Sequence, residues 1–297
     1  MAVAATGFFD GVHLGHRQVL GRLCEEARAR GEESVVVTFW PHPRSVLQQD
    51  ADRLRLLTTL QEKRARCLDY GVDRFEVLPF SRAFSELSAE DFVKEYLVKR
   101  FGVTTLIIGY DHRLGHDRFD NPEQMMEVVS RCGVTPVRVE EYATDKGSVS
   151  STMIRNALFD GEVICAEQML GYRYELCGVV VAGNRIGRTI GFPTANMQLY
   201  EPLKLVPCNG VYAVWVDVLG ARYKGVCNIG MRPTVGMGGA RTIETHILNF
   251  NQDIYGLDLR IEFCARLRDE HRFDSLELLK QQLCLDSKKA TEILAAY

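Results

Sequence analysis

Up to about residue 140 the chain alternates short β-rich runs with amphipathic stretches of helical length, and from Cys177 onward it does not. That change of rhythm limits the possible folds more than any other feature. The runs at 2–6, 34–39, 74–78, 104–108 and 136–139 read as strands, and 15–30, 58–70, 88–101 and 121–132 as helices. Glycines at 31, 71, 102 and 133 stand where helix C-termini need a left-handed residue. Strand, helix, strand in succession requires a parallel sheet covered on both faces, with ligand loops at the carboxyl ends of the strands. After Cys177 come strand-like runs at 178–182, 211–218, 223–229, 242–250 and 257–263, separated by Gly, Pro and Asn turns. These predict an antiparallel sheet or barrel. A last helix over 275–296 has apolar residues at 276, 279, 283, 290, 293 and 294. Residues 153–170 read as one or two helices interrupted at Asp160-Gly161. The expectation is an α/β protein of two domains, 1–170 and 171–297, which suits a length of 297 residues.

Composition narrows the function classes. With 46% hydrophobic and 25% charged residues the chain is neither disordered, collagen-like nor coiled coil. A formal net charge of -3 offers no basic field for a phosphate backbone, so nucleic acid is not an expected partner. No run approaches the roughly 20 apolar residues of a membrane span, and the N-terminus lacks the pattern of a signal peptide. Nine scattered cysteines without a Cys-x-x-Cys pair read as reduced thiols in a cytoplasmic protein, and argue against structural zinc.

The segment Gly7-Phe8-Phe9-Asp10-Gly11-Val12-His13-Leu14-Gly15-His16 lies where the first strand hands over to the first helix. His13 and His16 are three apart and can face the same side of a helix start, where free N–H groups and the helix dipole favour an anion. Gly15 would let a ligand approach the backbone, and Gly11 would allow a turn. The spacing alone also fits two surface histidines or half of a metal site. Ser150-Ser151-Thr152 followed by Arg155 could clamp a triphosphate, or could be a helix cap with a solvated arginine. Gly109–Gly115, with Asp111 and Arg113, follows the fourth strand, and Thr38-Phe-Trp-Pro41-His42-Pro43 follows the second.

Together these segments resemble the adenylyltransferase half of the prokaryotic bifunctional riboflavin kinase and FAD synthetase family, a Rossmann-like nucleotidyltransferase. Its pattern runs Gly-x-Phe-Asp-Gly-x-His-x-Gly-His, Phe-x-Pro-His-Pro, Gly-x-Asp-Phe-Arg-Phe-Gly and Ser-Ser-Thr-x-Ile-Arg. The resemblance implies that His13 and His16 hold nucleotide phosphates while another phosphate attacks the α-phosphorus. It also implies ATP contacts from Gly7, Phe8, Asp10, Gly15, Ser150, Ser151, Thr152 and Arg155, with Asp111, Arg113 and His42 positioning flavin or ATP. The attacker is already an anion, so orientation and charge stabilisation carry the catalysis. The chain departs at His112 and Leu114, where the family more often has Phe, and at Met153, where Arg is common. Few residues precede the first strand, which implies a trimmed start or a late start codon.

In the second half, Ala182-Gly-Asn-Arg-Ile-Gly187-Arg188-Thr189 narrowly misses a phosphate-binding P-loop, and the following Ile190-Gly191-Phe192-Pro193-Thr194-Ala195-Asn196 does not open a helix. The glycines at 183, 187 and 191 suggest a flap over phosphates, with Arg185 and Arg188 as charge partners, or simply a flexible hairpin. Gly-Arg-Thr-Ile-Gly-Phe-Pro-Thr-Ala-Asn resembles the riboflavin kinase signature, and Asn228–Thr234, Glu244-Thr-His246, Asp253–Gly256 and Leu267–Glu270 with Phe273 follow in order. The resemblance implies a β-barrel kinase in which Thr194 and Asn196 bind Mg²⁺ and ATP phosphates, and Gly183, Arg188, Gly191 and Pro193 belong to the flap. Glu244 would take the proton from the ribityl hydroxyl, and Arg268 would lie near flavin. A primary alcohol is a poor nucleophile at neutral pH, so a carboxylate base is chemically reasonable. On its own, Glu244 could instead be a cross-strand partner of Arg241 or His246.

The expected function is therefore ATP-dependent conversion of riboflavin to FMN and of FMN to FAD. The alternatives are a kinase with a weakened adenylyltransferase half and a flavin-binding regulator without turnover. The oligomeric state is left open.

Overall fold

The computed structural model describes all residues except 48–53, 111, 145–146, 184–186, 188–189, 233–239 and 297. The chain divides into two compact units, Met1–Ser151 and Thr152–Tyr297.

In the first unit β1 (Ala2–Thr6), α1 (Leu14–Arg30), β2 (Glu33–Trp40), α2 (Pro43–Leu47), α3 (Leu60–Asp69), β3 (Arg74–Pro79) and α4 (Arg82–Ser85) are followed by a composite helix, α5, over 89–101. Then come β4 (Val103–Ile108), α6 (Pro122–Arg131), β5 (Thr135–Arg138) and a small hairpin, β6 (Ala143–Thr144) and β7 (Gly147–Ser148). The five long strands pair in parallel in the order β3-β2-β1-β4-β5. Side chains alternate across the sheet with a period of two. On one face Ala2, Ala4, Val35, Val37, Leu106 and Ile108 pack with Phe92, Val93 and Leu97 of α5 and Met125 and Val129 of α6. On the other, Val3, Ala5, Val36 and Ile107 pack with Leu20, Leu23 and Ala27 of α1 and Cys67 of α3. β1, in the middle, is buried over its whole length, and its carboxyl end delivers Gly7 to the crevice.

The second unit begins with α7 (Ser151–Phe159), whose first residue is shared with the division point, and α8 (Val163–Leu170). Its barrel comprises β8 (Glu175–Val181), β9 (Ala195–Leu199), β10 (Gly210–Val218), β11 (Ala221–Arg232), β12 (Ala240–Ile247) and β13 (Asp258–Arg268), with α9 (Leu276–Ile293) last. The strands close antiparallel in the order β10-β11-β12-β9-β8-β13. α9 and the turn after it bury Ala290 and Leu294 against Val211, Ala213, Val226, Cys264 and Leu267.

Three details depart from the sequence reading. The helices around Asp160-Gly161 cluster with the barrel, whereas the reading put 153–170 in the first domain. Residues 195–199 form a strand: Ala195 and Met197 face inward while Asn196 and Gln198 do not, an alternation too short to stand out beside the flap. Within α5, Phe92–Val98 is π-helical, a local period that a 3.6-residue pattern does not register.

Candidate active sites

The loop after β1 is strained where it meets the crevice. Phe9 (φ 45°) and Val12 (φ 38°) are left-handed without being glycine, and Gly11 joins them at 89°. Such conformations cost about 1–3 kcal/mol each and persist only where surroundings impose them. Asp10 supplies that imposition. Its buried carboxylate accepts the Leu57 N–H (3.0 and 3.1 Å), the Thr58 N–H (3.0 Å) and the Thr58 hydroxyl (3.3 Å). Thr58 Oγ1 in turn accepts the Gly11 N–H at 3.0 Å, and the Asp10 carbonyl accepts the Ser151 hydroxyl at 2.8 Å. The side chain implied as an ATP contact thus ties the loop to residues 57 and 58.

The loop delivers two stacked imidazoles, with ring centroids 3.6 Å apart. His13, 5% exposed, caps α1: its Nδ1 accepts the His16 N–H at 3.3 Å. An accepting Nδ1 places the proton of a neutral ring on Nε2, a donor suited to a phosphate oxygen. His16 Nδ1 is buried without a hydrogen-bond partner. Burial, then His13, then Lys63 hold the His16 pKa well below the usual 6.5, so the ring is neutral at physiological pH. At Gly15 a Cβ would press on the His13 ring at 3.2 Å, tighter than an ordinary van der Waals contact.

Sequence reasoning missed Lys63. It is 4% exposed on the inner face of α3 with Cys67; burial lowers its pKa, and the negative charge of Asp10 works the other way. The signal was available, since Leu60, Lys63 and Cys67 share one helical face and a lysine in an apolar phase is unusual.

The Phe8 ring lies 5.4 Å from Phe39 and 5.0 Å from His42, whose Nδ1 accepts the Arg44 N–H. Gly7 takes φ 156°, a positive value that other residues rarely adopt. Arg113 is exposed beside His112, and Asp111 lies outside the described residues. His112 Nε2 makes a 3.0 Å hydrogen bond with Thr6 Oγ1, a bond phenylalanine cannot make. Leu114, 1% exposed, belongs to the sheet core, so that departure from the family is one of packing volume. Ser150 is half-buried ahead of α7. Thr152, Met153 and Arg155 occupy the first turns of α7 in the second unit, with Met153 exposed and Arg155 half-buried.

Two cavities of the barrel are lined by described residues. One, about 520 Å³, is lined by Phe192, Asn228, Glu244, His246, Arg268 and apolar residues of α9 including Leu279 and Leu283. The other, about 370 Å³, is lined by Gly183, Gly191, Pro193, Asn196 and the 250–255 turn. Thr194 lines both. Strand pairing explains the arrangement: Glu244 on β12 stands opposite Asn228 on β11 and Asn196 on β9. The Arg241 guanidinium bonds the Asn209 side chain and the Val206 and Pro207 carbonyls. Gly183 is glycine for a local reason, since a Cβ there would collide with the Asn196 amide. Gly191 takes φ 87°, where other residues are strained. Arg188 and Arg185, Thr189, Pro233 and Thr234 lie outside the described residues. Arg268 lines the larger cavity, but its guanidinium is committed to Asp286 of α9 (Nε to Oδ1 3.0 Å, Nη2 to Oδ2 2.8 Å) and lies 5.7 Å from the Phe273 ring centre. Among the described residues no group of three or more His, Cys, Asp or Glu side chains could hold a metal ion.

Comparison with known proteins agrees with this division. A family model described as FAD synthetase matches residues 1–153, and one described as riboflavin kinase matches 170–294. A bifunctional riboflavin kinase/FMN adenylyltransferase of Pseudomonas fluorescens is 39% identical over 99% of this chain and 93% of its own length. The Bacillus subtilis protein of the same description is 36% identical over 97% and 91%. A solved structure described as a macrolide-efflux protein from Streptococcus pneumoniae superposes with a TM-score of 0.90 at 32% identity, covering 98% of this chain and 93% of that one. The chain belongs to the bifunctional riboflavin kinase/FMN adenylyltransferase family.

Proposed function

We infer that the chain makes both flavin cofactors, phosphorylating riboflavin to FMN with ATP and then transferring an adenylyl group from ATP to FMN, with release of pyrophosphate. The kinase is assigned to the barrel and the adenylyltransferase to the parallel-sheet unit. The observation that carries the reading is the pair of barrel cavities meeting at Thr194, with Glu244 in one and Asn196 in the other. Phosphoryl transfer needs an acceptor pocket and a donor pocket that share one boundary, and a base on the acceptor side. The apolar walls given by Leu279 and Leu283 suit the flavin ring system, so the larger cavity takes riboflavin and the smaller the nucleotide. Glu244 accepts the hydroxyl proton as the oxygen bonds to the γ-phosphorus, and ADP leaves with the electrons of the broken P–O bond.

The donor set at the nucleotide cavity fits Mg²⁺. Thr194 and Asn196 offer neutral, hard oxygens, which suit an ion that keeps several waters and shares phosphate oxygens with its site. Gly183 leaves open the space beside Asn196 that a side chain would fill. When bound, the ion neutralises phosphate charge.

In the sheet unit, His13 and His16 donate to nucleotide phosphates at the N-terminus of α1, where the dipole adds to the attraction. An FMN phosphate oxygen attacks the α-phosphorus and needs no base. Nine free thiols support a cytoplasmic location, where such thiols stay reduced. No described helix is long and apolar enough to cross a membrane.

A time course of riboflavin with excess ATP and Mg²⁺, with riboflavin, FMN and FAD separated by chromatography, tests the reading. FMN should rise and then give way to FAD. FMN that accumulates, and is not consumed when supplied directly, would leave a kinase with an altered adenylyltransferase half; no product would reduce the protein to a flavin binder.

A further inference from the structure

Besides Glu244, β12 turns a second polar side chain into the larger cavity. His246, two residues on and so on the same face of the strand, lines that cavity with Glu244, Phe192 and Thr194. Its Nδ1 lies 2.8 Å from the Pro193 carbonyl oxygen, 53 residues away in sequence. A carbonyl only accepts, so the ring carries its proton on Nδ1 and donates it there. The Phe192 ring packs on the imidazole at 5.1 Å between centroids. The Pro193 carbonyl and the Thr194 N–H belong to one rigid peptide plane, so holding the first orients the second. Upstream, the chain folds back on itself: Phe192 N–H donates to the Gly187 carbonyl at 2.8 Å, and Gly191 is left-handed.

We propose that His246 is a positioning residue for the phosphoryl transfer, fastening the Pro193-Thr194 peptide, the boundary between the two cavities, to the strand that carries Glu244. This rests on the kinase reading of the barrel. The base and the phosphate-side residue are thereby held in register by a single strand, and the tether acts on the nucleotide side although the imidazole stands on the acceptor side.

The test compares His246→Phe, which keeps a ring against Phe192 but loses the donor, with His246→Asn, whose Nδ2 can replace the Nδ1 donor. His246→Phe should raise the KM for ATP about tenfold in FMN formation, the size of one net hydrogen bond, with a much smaller change in KM for riboflavin. FAD formation from supplied FMN should be unchanged. Amide hydrogen exchange over 190–196 should quicken in His246→Phe and return to the wild-type rate in His246→Asn. An unchanged KM for ATP in His246→Phe, or a His246→Asn variant as impaired as His246→Phe, would overturn the proposal. If the wild-type chain made no FMN, the kinase reading would fail, and the exchange comparison would still decide whether His246 holds the segment.

Discussion

Replacing Asp10 by Asn tests whether this residue builds the nucleotide loop or touches the nucleotide. Asparagine keeps the shape and one accepting oxygen, so the Thr58 N–H keeps its partner. The oxygen at the Oδ2 position, which shares the Leu57 N–H at 3.1 Å, becomes an NH₂ group facing a donor, and the negative charge near buried Lys63 disappears. Weakened bonds to a charged acceptor contribute about 1.5–3 kcal/mol, so the expected destabilisation of the sheet unit is about 2–3 kcal/mol. That is a large part of the 5–15 kcal/mol typical of a domain. Urea titration with unit-specific probes, such as hydrogen exchange of peptides covering 10–16 and 54–63 against peptides from β10 and β13, should show lost protection in the first set only. FAD formation from FMN should fall with it while riboflavin phosphorylation continues. If Asp10→Asn abolished FAD formation with full protection of 54–63 and unchanged stability, the anchoring role would be wrong and the carboxylate would act on the ligand.

Other outcomes follow from the same geometry. Because the native pKa of His16 is lowered, its contribution to stability is fully present above pH 6.5 and is lost as pH falls from there toward the native value, by up to about 1.4 kcal/mol per pH unit for one proton. The stability difference between wild type and His16→Gln, followed by urea midpoints from pH 8 to 5, should drift accordingly; a pH-independent difference would show that the ring protonates as readily folded as unfolded. Burial pushes the Cys67 and Cys227 thiols up to about 12 and Cys264 to about 11, so iodoacetamide at pH 8 should label exposed Cys165 and Cys284 and spare those three, as read by peptide mass spectrometry. Asp286→Ala should cost about 3 kcal/mol by stranding Arg268, loosen α9 and impair FMN formation while sparing FAD formation from FMN. Equal activity in this variant would mean that α9 does not shape the acceptor cavity.

What the sequence disclosed depended on the range of the interaction. The strands β1 to β5 and the barrel strands other than β9 follow from local periodicity, and the ends of α1 and α5 from Gly31 and Gly102, both left-handed at φ 64° and 66°. Glu244, Thr194 and Asn196 are named by the family resemblance, yet what sets Glu244 opposite Asn196 is strand register, which no local pattern encodes. The family resemblance implies an ATP contact for Asp10; the partners its carboxylate has in the structure, Leu57 and Thr58, are 47 and 48 residues away. Arg268 shows the same limit: Asp286 lies eighteen residues on, across a loop whose path the sequence leaves open. His246 enters the sequence reading as part of Glu244-Thr-His246 in the family resemblance and as a possible partner for Glu244, and its bond to a proline carbonyl has no sequence signature at all.

The central claim is that two separate chemistries reside in two separate units. Glu244→Gln removes a proton acceptor with almost no change in volume, and is assayed beside His13→Ala/His16→Ala with riboflavin and with FMN as alternative starting substrates. The account predicts that Glu244→Gln makes no FMN from riboflavin but converts supplied FMN to FAD at the wild-type rate, and that the double histidine variant does the reverse. Parallel loss of both activities in folded protein, or FMN formation undiminished in Glu244→Gln, would contradict it.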